Sequence, residues 1–251
     1  MFKLVKYELR ANFLTIIGIC ITVIIASLLL MTKKGAWPMA VPALSVCFTI
    51  GSMIVIFIAS LKIMSQYLYG DSGYLLFTLP QSGASIMASR LLAALIQISV
   101  VGIVTILMFY LTITSKIDFS FIKDIKASQV IEYTFSYIWM IISSLTIIYF
   151  CMVIGKVALK GKKIGKVGSF VIFILISTLI SWLSFKLISV LPQTLDLSNF
   201  TITNGSVLNL GATTPSTAFT VNIAQTIFDI IIFIGLFMSS SYLIDKKLDL
   251  S

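Results

Sequence analysis

Six apolar stretches, each near the length that crosses a bilayer, alternate with short polar breaks along the chain. They run over residues 13–31, 41–61, 91–114, 133–158, 167–191 and 221–242. A hydrocarbon core of about 30 Å takes about 20 helical residues. Only helices and closed barrels satisfy their backbone groups in lipid. The predicted fold is therefore an all-α polytopic membrane protein with six transmembrane helices. We expect one transmembrane domain over 1–251: an interfacial amphipathic helix at 1–12, a six-span bundle at 13–242 and a tail at 243–251.

The start, "MFKLVKYELRANF", repeats apolar residues at helical spacing (Phe2, Val5, Leu9, Phe13) with Lys3, Lys6 and Arg10 on an adjacent face. That pattern predicts a short helix lying in the membrane interface; the alternative is a basic tail that only sets orientation. The first apolar run is too long for a signal-peptide core and no small-x-small cleavage site follows it, so it reads as a retained span.

Composition agrees with lipid as the solvent. Of 251 residues, 59% are hydrophobic and 11% charged, against roughly 45–50% and about 25% in a soluble domain. Histidine is absent, which removes the usual general base and the commonest metal ligand. Cys20, Cys47 and Cys151 are widely spaced inside apolar runs and read as small buried hydrophobes, with no zinc spacing and no disulfide framework.

The net charge of +9 is a matter of topology. Twelve of the eighteen Lys and Arg residues fall on one side of a six-span chain: Lys3, Lys6, Arg10, Lys62, Arg90, Lys156, Lys160, Lys162, Lys163, Lys166, Lys246 and Lys247. The other side's lysines are diluted by Asp118, Asp124, Glu132 and Asp196. The positive-inside rule then puts both termini in the cytoplasm of a plasma-membrane protein. Basic residues interleaved with exposed aromatics in a soluble domain are missing, so nucleic acid is not an expected partner.

One break stands apart. "GDSGYLLFTLPQSGASIMASRLL", residues 70–92, stops at Gly70, runs a short apolar-aromatic stretch and breaks again at Pro80. Gly70 suits the end of the second span, and Asp71 or Ser72 suits the cap of a new helix. Tyr74, Leu75, Leu76, Phe77 and Leu79 make about two turns that Pro80 terminates. A bare loop would be polar; this one needs a surface to bury against, either lipid headgroups or a protein groove.

The run "D-S-G-Y-L-L-F-T-L-P-Q-S" at 71–82, followed by "I-M-A-S-R-L-L", resembles the cytoplasmic coupling segment of ABC-2-type transporter permeases. The ending "YLIDKKLDL" is similar to the tail after their last span. These motifs occupy a small part of the chain, while span count, orientation and the amphipathic start extend the resemblance over its length. The resemblance implies two permease chains working with two copies of a separate ATPase, which carries the ATP and Mg. It implies that residues 72–79 are a coupling helix received by a groove on that ATPase, with Tyr74 and Phe77 as anchors. It also implies small extracellular helices in the loop at 192–217, whose "SNFTITNGSVLNL" reads on its own as a short hairpin or re-entrant turn.

No G-x-x-x-x-G-K-[ST] motif occurs, so this chain is not expected to cradle ATP or to be an enzyme. "GKKIGKVG", residues 161–168, lacks both that spacing and a strand–helix context. With Lys160, Lys162, Lys163 and Lys166 it reads as a second ATPase contact or as orientation charge.

Inside the spans, Asp229 is the one carboxylate at membrane depth, where a central charge costs ~2.5–3.5 kcal/mol on insertion scales. Asn222, Gln225 and Thr226 share its helical face, Ser181 belongs to a serine stripe on span five, and Gln97 sits on span three. Together they are candidates for a polar translocation path; the alternative is interhelical hydrogen bonding as glue.

The reading is the membrane subunit of an ATP-driven exporter for an amphipathic or hydrophobic peptide or drug, paired with a second copy of itself. The alternative is a secondary transporter, or an intramembrane assembly or immunity protein without an ATPase. A secondary transporter is expected to show broken helices in paired repeats and several membrane carboxylates. An intramembrane enzyme would need a catalytic constellation, and none is visible.

Overall fold

A computed structural model of the chain describes residues 2–33, 35–37, 40–69, 82–113, 127–157, 165–196, 201–204 and 220–247. Within them lie helices α1 (Phe2–Ala11), α2 (Phe13–Thr32), α3 (Ala40–Tyr69), α4 (Gly83–Ile113), α5 (Ala127–Val157) and α6 (Gly165–Val190). Strands β1 (Gln193–Asp196), β2 (Thr201–Asn204) and β3 (Thr220–Asn222) then precede the last helix, α7 (Ile223–Lys247). All helices but α1 are long and apolar enough to cross a membrane. The chain is a six-span, all-α membrane protein with one small sheet. The expected coupling helix, Asp71 to Pro80, lies outside the described residues, as do Lys160, Lys162 and Lys163; of Lys166 only the backbone is described.

Several helices outrun their apolar windows. α3 continues past Lys62 because Ile63, Met64, Tyr67 and Leu68 keep a buried stripe at helical spacing while Lys62 points outward. α4 begins eight residues before its expected start, and α5 six before. α7 instead starts two residues later than expected, at Ile223, because Thr220 to Asn222 pair as a strand. A hydropathy window sees the lipid-crossing part of a helix and misses the amphipathic turns that pack on protein.

The chain divides into two compact units, Met1–Ile125 and Lys126–Asp249. In the first, α4 is the central helix and packs against α1, α2 and α3. Its inner face carries Arg90, Ala94, Gln97, Val101, Thr105, Met108 and Thr112, all buried; that spacing of three and four is one helical stripe. Small residues on α3 (Ser45, Ser52, Ser60) are buried too, and small side chains let membrane helices approach closely. Ser60 donates back to the Ile56 carbonyl at 2.9 Å, whereas Ser52 also meets Thr105 of α4 at 3.2 Å. Asn12 separates α1 from α2: its backbone N–H and its side-chain amide both donate to the Glu8 carbonyl, at 3.1 and 3.0 Å.

In the second unit α5 packs against both α6 and α7. Gly155 of α5 lies so close to α6 that a Cβ there would overlap the Ser169 hydroxyl and sit 3.3 Å from the Ser169 Cα. Ser169 is the one buried residue on α6 among those whose side chains are described. The strands form an antiparallel sheet in the order β2-β1-β3, with Gln193 opposite Asn204 and Thr194 opposite Asn222. β2 lies within the 198–210 stretch read as a hairpin or re-entrant turn, but its partner β1 precedes that stretch, and the described residues 193–196 and 201–204 are strands where the resemblance implies small helices.

Candidate functional site

Two arrangements of polar groups stand out, one in each unit. In the first, Ser82 caps α4: its hydroxyl accepts from the Ser85 N–H at 3.4 Å and its carbonyl from the Ile86 N–H at 3.1 Å. Two turns on, the Arg90 guanidinium is buried, ion-paired with Glu8 of α1 and stacked over the Tyr67 ring of α3, 5.0 Å from its centroid. A buried charge is tolerable when paired and supported in this way. Burial pushes the Glu8 carboxyl above the usual carboxylate range, and the guanidinium beside it pulls the other way. Tyr67 and Ser82 flank the 70–81 segment, so the cluster joins the helices on both sides of it to each other, and α4 through Arg90 to α1.

About two turns on from Arg90, Gln97 is wholly buried, and neither its amide oxygen nor its nitrogen has a hydrogen-bond partner among the described residues. An unsatisfied buried amide costs roughly 1–3 kcal/mol.

In the second unit a seam runs between α5 and α7. At the sheet end it opens into a cavity of about 680 Å³ whose walls include Glu132, Phe135, Ser136 and Trp139 of α5 and Gln225, Thr226 and Asp229 of α7, with Leu195 and Val221 from the strands. Further along lies a second cavity of about 270 Å³, reached by Ser143 and Thr146 of α5 and Phe233 of α7. Trp139 and Asp229 belong to the walls of both. Trp139 meets Phe233 across the seam with ring centroids 5.5 Å apart.

The mouth of the seam is held by Asn222. Its Oδ1 accepts from the Gln225 N–H at 3.0 Å, the bond expected of a helix N-cap, and its Nδ2 donates to the Leu191 carbonyl at 2.8 Å. The Thr226 hydroxyl donates to the Asn222 carbonyl at 2.9 Å. One side chain thus starts α7 and ties it to the end of α6.

The six residues proposed from sequence for a path therefore separate. Gln225, Thr226 and Asp229 line one cavity and Asn222 is structural support at its edge. Ser181 is exposed on α6 and is absent from both cavity walls. Gln97 belongs to the core of the other unit.

Sequence reasoning missed Glu8 and Arg90 as partners, and Glu132 as a cavity residue. For the latter a signal existed: Glu132, Ser136, Trp139, Ser143 and Thr146 recur every three or four residues, which is one face of α5. Among the described residues no cluster of three or more Cys, Asp or Glu side chains is placed to hold a metal ion. In comparisons with known proteins, no family model, no curated protein and no solved structure matches the chain.

Proposed function

We propose that the chain is the permease subunit of an ATP-driven exporter of the ABC-2 type, with both termini cytoplasmic and a separate ATPase supplying ATP and Mg. The observation that carries this reading is the Glu8–Arg90–Tyr67 cluster. An element that passes motion from a soluble engine to a bundle must be anchored in something stiff. The cluster supplies such an anchor on both sides of residues 70–81, which carry the aromatic pair Tyr74 and Phe77. In this reading that pair seats in an ATPase groove, the lysines at 160–166 form a second contact, and two copies of the chain enclose the path. The cargo is an amphipathic or hydrophobic peptide or drug, because the α5–α7 seam is apolar with few polar groups.

A secondary transporter draws some support from the division into two units that hold three spans each, since repeats are common in that class. One experiment separates the two. Aromatic anchors of this kind are worth ~2 kcal/mol or more each, so Tyr74→Ala with Phe77→Ala weakens ATPase association roughly a thousandfold if the effects add. Tagged chain is purified in mild detergent from its native cells, and co-purifying ATPase activity is scored beside transport. The double variant is expected to insert normally, lose the ATPase and transport nothing. Full transport with no ATPase recovered from either form would sink this reading and favour the alternative.

A further inference from the structure

We propose that the larger cavity between α5 and α7 is a binding site for lipophilic cations: molecules with a permanent positive charge inside an apolar, aromatic shell. The inference rests on the transport reading only for what binding is used for; the binding itself stands on the cavity.

Its size, about 680 Å³, lies within the roughly 300–1,000 Å³ of small-molecule sites. Its walls are mostly apolar, with Phe135 and Trp139 offering ring faces, and they carry two carboxylates, Glu132 and Asp229. Among the described residues no Lys or Arg joins them in the lining, in a chain whose net charge is +9. Among the described residues neither carboxylate has a hydrogen-bond or ion-pair partner. An ionised carboxylate at membrane depth is costly unless something of opposite charge meets it. A cation entering the cavity supplies that partner, and the aromatic faces attract it further.

The contrast within the same protein is informative. A groove of about 500 Å³ between α2 and α3 has comparable size, but its polar side chains are Thr22, Ser52 and Cys47. The two hydroxyls already bond to backbone carbonyls of their own helices. Among the described residues its lining carries no charged group to orient a cation.

The test is equilibrium binding of tritiated tetraphenylphosphonium to the purified full chain in detergent, with no ATPase present. Tetraphenylborate, nearly the same shape with the opposite charge, is the competitor. Saturable binding that unlabelled tetraphenylphosphonium displaces and tetraphenylborate does not is expected. Asp229→Asn and Glu132→Gln should each weaken binding about tenfold or more, while Asp245→Asn, on the same helix but outside the cavity, leaves it unchanged. Only variants that keep the wild-type melting temperature are scored; if Asp229→Asn does not, Glu132→Gln alone decides. Equal displacement by tetraphenylborate, or undiminished affinity in a folded carboxylate variant, overturns the proposal. Because no ATPase takes part, a loss of ATPase association in the Tyr74/Phe77 variant has no bearing on this result.

Discussion

The carboxylate of Glu8 is ion-paired with the guanidinium of Arg90, and this joins α1 to the start of α4. The Arg90 side chain is 6% exposed and that of Glu8 16%, so the pair is an internal link with a small opening to solvent at the Glu8 side. α1 therefore rests on protein through Glu8 and buried Val5, while Tyr7 is left exposed.

Removing one partner should cost far more than removing both. Glu8→Ala leaves a buried guanidinium without a counter-charge, which costs about 3 kcal/mol, the lower end for a broken buried pair because Glu8 keeps some access to solvent. Glu8→Gln keeps an acceptor oxygen for Arg90 but not the counter-charge, and should cost less than Glu8→Ala, about 1–2 kcal/mol. Replacing both by Met should come back close to wild type, as apolar substitutes for buried pairs often do. Thermal unfolding of the four proteins in one detergent ranks them; a double variant as unstable as Glu8→Ala would contradict the pair as the source of the loss.

The same pair gives a sign for pH dependence. Burial holds the Glu8 pKa in the folded chain above its ordinary 4.5, so the folded state binds this proton more tightly than the unfolded one. That contribution to stability is fully present below the ordinary value and is lost as pH rises through the raised one. In melting temperatures measured from pH 4 to 7, wild type should fall relative to Glu8→Gln as pH increases. A relative rise would mean that the guanidinium outweighs burial.

Gly155→Ala tests the α5–α6 contact. The added methyl overlaps the Ser169 hydroxyl, and overpacking of this kind costs about 1–3 kcal/mol. Ser169→Gly removes the obstacle, so the double variant should recover most of the lost melting temperature. No recovery would show that the helices separate for another reason.

Much of the bundle is legible in the sequence because lipid demands long uninterrupted apolar runs, and each of the six is present. The helix ends are less so. Lys62 and Arg90 look like loop charges that stop a span, yet α3 and α4 run through both. Arg90 reads as an orientation charge because its partner is far away in sequence, and nothing local to either residue announces the pairing. Glu132 reads as a loop carboxylate for a similar reason: its helix starts before the apolar window does. Asn222 was visible as a polar residue on the Asp229 face, but its work as cap and strap needs β3 and the end of α6 to be folded around it.

The Glu8–Arg90 link also fixes an order of assembly. Synthesis delivers Glu8 before Arg90, with α2 and α3 between them. A nascent chain that has inserted only those two spans carries α1 without its ion-pair partner. The ion pair can form only once the start of α4, which carries Arg90, has left the ribosome, so α4 is the piece that closes the first unit of the protein.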